Sequence, residues 1–185
     1  INDVERIGAA LGVDLRGRKL AGSLRNRITA VREGALRQPR PRVVCLEWLS
    51  PLYVGGHWVP EMVNAAGGFD VLGHAGEPSR QVTMEEVRAA APEILIVMPC
   101  GFSLARTISE LTVLCREDSA ASRLLLSAAK LYVVDSGSYF SRPGPRLVDG
   151  LELLADICAG TMHADRPSDA VRDLTGSVCL TGQSR

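Results

Sequence analysis

Three short apolar runs constrain this chain more than any other feature: Val43-Val44-Cys45-Leu46, Ile94-Leu95-Ile96-Val97-Met98 and Leu131-Tyr132-Val133-Val134. Each has the length of a strand and is apolar at successive positions, the pattern of a parallel strand covered on both faces. Segments of helical period lie between and after them: Val59 to Ala66, Thr83 to about Ala91, Ser103 to about Cys115, Ser119 to Ala129 and Arg146 to Ala159. The alternation predicts right-handed βαβ units and a three-layer α/β lobe built on a parallel sheet. In such a sheet the loops leaving the strands share one edge, where ligands of open α/β sheets bind. Three loops therefore converge on one mouth: the stretch from Glu47 to Trp58, Pro99-Cys100-Gly101-Phe102, and Ser136 to Pro145.

Local signals set the boundaries. Thr83 and Glu86 form a capping box, Pro60 fits a first helical turn, and Gly160 follows the last periodic residues. Upstream, Asp3 is placed to cap a short helix carrying Val4, Ile7 and Leu11. Asp14 then opens a longer amphipathic helix to Arg37, with Leu20, Leu24, Ile28, Val31 and Ala35 on one stripe and a length of about 30–35 Å. The expected organisation is a helical segment over residues 1–38, an α/β ligand-binding lobe over 39–160 and a loose polar tail over 161–185.

Charge narrows the function. Lys plus Arg and Asp plus Glu both number 21, so the whole chain offers no electrostatic case for nucleic acid. No run of about 18 apolar residues is present, so no membrane span is expected. The sequence opens on Ile1, almost directly in a helix and without a signal-peptide pattern, which is read as a fragment or a processed product. Its five cysteines, at 45, 100, 115, 158 and 179, have neither CxxC nor metal-ligand spacing.

The three loops carry the remaining chemistry. Of two Trp, three Tyr and three Phe in the chain, Trp48, Tyr53 and Trp58 lie in the first loop, with Glu47 and His57. Phe102 lies in the second, and Tyr139, Phe140 and Ser141 in the third. These rings either belong to the core or face a ligand; their place among Pro and Gly favours a large, planar, partly apolar ligand. No GxSxG elbow or P-loop is present, and Cys100 has no histidine partner in any local motif, so an enzyme is not expected.

The run Leu46-Glu47-Trp48, Pro51, His57-Trp58-Val59-Pro60-Glu61 and Ala66-Gly67-Gly68 resembles cobalamin-type substrate-binding proteins of ABC importers. So do Thr83-Met84-Glu85-Glu86-Val87, the stretch Ala91 to Phe102, and Tyr139-Phe140-Ser141-Arg142-Pro143-Gly144-Pro145-Arg146. The resemblance implies a class III periplasmic binding protein, of which this chain holds the C-terminal lobe and the bridging helix while the N-terminal lobe is missing. It implies non-catalytic binding of cobalamin or a related metal-tetrapyrrole as transported ligand, with an ABC permease or a separate N-terminal lobe as partner. The implied location is extracytoplasmic. Glu47, Trp48, Tyr53, His57 and Trp58 would line one side of the site, Pro99, Cys100, Gly101 and Phe102 its floor, and Tyr139, Phe140 and Ser141 the other side. His57 is a candidate axial ligand to a bound cobalt; no protein-only metal site is expected. The alternative is a truncated homologue that serves as an interaction or assembly module, in the simplest case a homodimer.

Overall fold

The structure is a computed structural model and describes residues 1–161 and 167–177. Two helices open the chain, α1 (Asn2–Ala10) and α2 (Asp14–Ala35). There follow β1 (Arg42–Leu49), β2 (Leu52–Val54), α3 (Val59–Ala65), β3 (Phe69–Asp70), β4 (Arg80–Gln81) and α4 (Met84–Ala89). The second half holds β5 (Ile94–Val97), α5 (Leu104–Glu117), α6 (Ser119–Ser127), β6 (Lys130–Val134), α7 (Ser136–Tyr139), α8 (Arg146–Ala159) and β7 (Val171–Asp173).

The three apolar runs lie side by side in the centre of one sheet, β1 parallel to β5 and β5 parallel to β6. Strand periodicity sorts their side chains into two cores. Val43, Cys45, Ile94, Ile96, Tyr132 and Val134 face the layer of α3 and α8. Val44, Leu46, Leu95, Val97, Leu131 and Val133 face the layer of α5 and α6. Burying each such aliphatic side chain contributes about 1.5–3 kcal/mol, so the doubly covered strands anchor the lobe. This is the expected three-layer α/β class.

The sheet edges are antiparallel. Its order is β4-β2-β1-β5-β6-β7, with β3 also on β1. Trp48 and Tyr53, expected in a loop, are strand residues that face each other across the β1–β2 hairpin. The reason is the connection: Ser50-Pro51 is too short for a crossover, and only an antiparallel return fits. At the other edge, Val171–Asp173 pairs antiparallel with β6, correcting the expected loose tail over these residues. Residues 162–166 and 178–185 of that tail, with Cys179, lie outside the described residues.

Helix α2 lies along the α3–α8 layer, where Ile28 and Val31 pack against the core. Arg27 fastens it, donating to Asp149 at 2.6 Å and to both oxygens of Glu152 at 2.7 and 2.8 Å on α8. Leu20, expected on the buried stripe, is exposed, and Gly17 and Ala21 are buried instead. Helix α1 explains the difference. It sits so close that a Cβ on Gly8 would stand 2.9 Å from the Gly17 Cα, leaving no room for a leucine in that seam. Helix α1 has Ile1 as its N-cap with no side-chain cap bond; Asp3 instead pairs with Arg6 at 3.1 Å.

Candidate ligand-binding site

The three strand-end loops do meet, and backbone hydrogen bonds hold them. The Cys100 N–H donates to the Glu47 carbonyl at 3.0 Å, and the Gly137 N–H to the Phe102 carbonyl at 2.9 Å. The Gly101 N–H donates to Ser141 Oγ at 2.7 Å, and the Trp58 indole to the Phe140 carbonyl at 2.8 Å. Gly101 has φ +77°, a conformation glycine adopts without a Cβ clash, and it brings the second loop against the third.

Within this edge the expected site residues divide. Trp48 is 40% exposed at the rim, its ring edge-on to Phe102 with centroids 5.4 Å apart. His57 and Cys100 are exposed, Tyr53 half-buried. Phe102 is buried, and the Arg106 guanidinium lies 3.6 Å above its ring centroid. Glu47 is a brace: its Oε2 accepts from Ser79 Oγ at 2.8 Å and from the Gly56 N–H at 3.3 Å. Pro99 is buried and Ser141 half-buried, the latter also sharing a 2.8 Å bond with Ser136. Tyr139 and Phe140 require correction. Both belong to the α3–α8 core, and Phe140 is 3% exposed, so its ring offers a ligand no open face. Trp58 packs half-buried against the same core. The third loop begins as α7, capped by Asp135 on the Ser138 N–H at 2.7 Å, and that turn swings both rings inward.

His57 has φ +55°, uncommon for a residue with a Cβ. The loop over residues 73–79 holds it there: its N–H donates to the Glu77 carbonyl at 2.6 Å and its carbonyl accepts from the Gly76 N–H at 2.8 Å. The loop packs on Gly56 so closely that no side chain fits. Strained backbone held on both sides is a frequent mark of a functional position.

Asp70, absent from the sequence-derived set, is 7% exposed. Its Oδ1 accepts from the Leu72 and Gly73 N–H groups, while Oδ2 has no partner among the described residues. A Cβ on Gly73 would be 2.7 Å from the Gly55 carbonyl oxygen and 2.8 Å from Oδ2, so two acceptors crowd one space. Burial raises the Asp70 pKa above the ordinary carboxylate value despite the two N–H bonds. A raised folded-state pKa means stability present below the unfolded pKa and lost as pH rises through the folded one. Asp70→Asn is therefore expected to exceed the wild type in stability at pH 7, by about 1–3 kcal/mol. Urea denaturation should show that advantage shrinking as pH falls through the raised folded-state pKa and gone once pH is below about 4, the unfolded value.

The cysteines at 45, 100, 115 and 158 are free, and burial pushes the Cys158 thiol up to about 12. Among the described residues no group of three His, Cys, Asp or Glu side chains is placed to hold a metal.

Three depressions flank the edge. One of about 510 Å³ lies between Gly101, Ser103, Ser138, Arg142 and Arg146. A second, about 230 Å³, runs from Trp48 and Phe102 along α5 to Glu110 and Glu117. A third, about 480 Å³ and largely apolar, is roofed by α1 and floored by Trp58 and Met62. Neither Arg106 nor Arg146 is among the sequence-derived site residues, because each lies in the first turn of a helix beyond the loops. The clue available there was spacing, since Arg106 stands one turn beyond Phe102.

A parallel α/β lobe with a long helix fastened along it and strand-end loops meeting at one edge is the architecture of the periplasmic binding proteins, and this chain has that fold. It is similar to an ABC transporter substrate-binding protein from Listeria monocytogenes EGD-e, with TM-score 0.72, 16% identity and coverage of 86% of this chain and 63% of that one. It is similar too to the periplasmic haem-binding protein RhuT from Roseiflexus sp. RS-1, at TM-score 0.67, 24% identity and coverage of 86% and 61%. Against the periplasmic vitamin B12 binding protein BtuF of Vibrio cholerae the values are 0.62, 19%, 83% and 58%. The chain thus spans about three-fifths of the length of these proteins. No protein-family model and no curated protein matches the sequence.

Proposed function

We propose that this chain is the C-terminal lobe and bridging helix of an extracytoplasmic substrate-binding protein that delivers its ligand to an ABC permease. The ligand is of tetrapyrrole type, cobalamin in the first place, bound without chemistry. The observation that carries this reading is the exposed Trp48 ring, braced on Phe102 at the edge where the three strand-end loops meet. Structural relatives whose names give haem or vitamin B12 as ligand support it. His57, exposed and held at φ +55°, is the axial-ligand candidate for a bound cobalt or iron.

The test is equilibrium dialysis with aquocobalamin and, in parallel, haemin, each followed by visible absorption. Saturable binding is expected. Trp48→Ala should weaken it about tenfold or more through loss of one stacking face, with the melting temperature nearly unchanged. Equal affinity in this variant would remove Trp48 from the site. A spectral shift that disappears in His57→Ala would identify the axial ligand.

A second reading rests on a different observation. Ile7 on α1, Leu11 just after it, and Leu15 and Leu20 on α2 are exposed, Leu15 to 78%. Such a face favours an assembly module with a partner lobe or a second copy. Sedimentation of a concentration-independent monomer would count against self-association.

A further inference from the structure

The depression of about 510 Å³ beside Gly101 and Gly137 differs in character from the aromatic rim, and its walls are charged. Arg142 has no hydrogen-bond or ion-pair partner among the described residues. Arg146 lies over the Tyr139 ring, 5.0 Å from its centroid. Its only ion pair among the described residues is a 3.9 Å approach to Asp149, whose other oxygen is held by Arg27 at 2.6 Å. The one acid in the wall, Asp135, accepts from the Ser138 N–H through Oδ1 at 2.7 Å, and the two arginines outnumber it. Outside this depression, on α5, Arg106 is held over Phe102 and reaches Glu110 only at 3.8 Å. One guanidinium braced on a ring and one without a partner among the described residues, both lining the same depression, are placed to receive a planar oxyanion through paired N–H donors.

We propose that this depression is an oxyanion subsite. Arg142 and Arg146, with the Ser103 and Ser138 hydroxyls beside them, take a carboxylate or phosphate at the periphery of the ligand whose flat part lies on Trp48. The inference rests on the reading above and adds a selection rule to it. Among flat ligands of one kind, the protein prefers the member that carries a peripheral anion. Tetrapyrrole carboxylates and a corrinoid phosphodiester share this chemistry, and paired probes separate them.

The experiment titrates the chain with haemin against haemin dimethyl ester, and with aquocobalamin against phosphate-free cobinamide. The anionic member of at least one pair is expected to bind about tenfold tighter. The double variant Arg142→Gln/Arg146→Gln should erase that difference while leaving unchanged the melting curve and the affinity of the member that lacks the peripheral anion. The pair that shows the difference names the oxyanion. Equal binding of both members of each pair overturns the subsite and leaves the ligand reading standing. An independent arm adds inorganic pyrophosphate and follows the arginine Nε–Hε resonances by NMR. Selective movement of Arg142 and Arg146, with Arg27 still, supports the subsite even if no tetrapyrrole binds, in which case the ligand reading falls alone. No movement and no preference overturns the subsite.

Discussion

Phe140→Ala is expected to destabilise the chain by about 3–5 kcal/mol, the range for removing a large ring from a closed core. The ring belongs to the core between the sheet and α8 that also holds Met98, Tyr132, Leu151 and Leu154. The helix is notched for it: a Cβ on Gly150 would stand 2.9 Å from Phe140 Cε1 and 2.6 Å from the Tyr139 carbonyl oxygen. Removing the ring leaves a void that this backbone cannot collapse to fill, so the cavity adds to the lost burial. The Trp58 indole bond to the Phe140 carbonyl would survive at first, since it uses backbone, but its anchor would loosen. Urea denaturation at pH 7, with Phe140→Leu as the milder companion, measures the effect. If Phe140→Ala unfolds at the wild-type midpoint yet loses tetrapyrrole binding, the ring faces the ligand, and its place in the core is wrong.

Gly56→Ala is expected to cost about 2–3 kcal/mol and to disorganise the His57 turn. The added Cβ would stand 2.4 Å from the Ser79 nitrogen, 2.5 Å from the Pro78 carbonyl carbon and 2.6 Å from the Glu77 oxygen. All three contacts are backbone, so no side chain can swing aside; the 73–79 loop must lift. Lifting it breaks the 2.6 Å bond from His57 to Glu77 and pulls Ser79 from Glu47, and His57 is then free to leave φ +55°. Gly144→Ala is the control, because a Cβ there meets nothing within 4 Å; its expected change is within about 0.5 kcal/mol. Limited proteolysis should cut the 73–79 loop faster in Gly56→Ala and at the wild-type rate in Gly144→Ala. Equal rates in both variants would show that the loop does not depend on the Gly56 contact.

Both predictions concern places where local reading and tertiary placement part. The Thr83–Glu86 capping box forms with both of its bonds, and α8 spans the stretch from Arg146 to Ala159 that its stripe predicts. The Gly160 that follows adopts the left-handed cap at φ +70°. These features were legible because each depends on neighbours within one or two turns. The same holds for the meeting of the three loops, since parallel strands in one sheet necessarily end on one edge. The orientation of the side chains in those loops was not legible. Trp48 and Phe140 occur in similar Pro- and Gly-rich surroundings, yet one lies on the rim and the other in the core. What separates them is the hairpin return at Ser50-Pro51 and the helical turn capped by Asp135, and each takes its place through contacts distant in sequence.

The sequence by itself determined the layers, because strands apolar at successive positions must be covered on both faces and the helices between them supply the cover. It also determined that the three strand-end loops meet on one edge. Only the tertiary structure decided which residues occupy that edge. Arg106 and Arg146 reach it from helices, Asp70 is buried with one oxygen unpaired among the described residues, and the 73–79 loop holds His57 in place. Periodicity is a property of neighbours along the chain, whereas exposure and charge pairing are properties of neighbours in space.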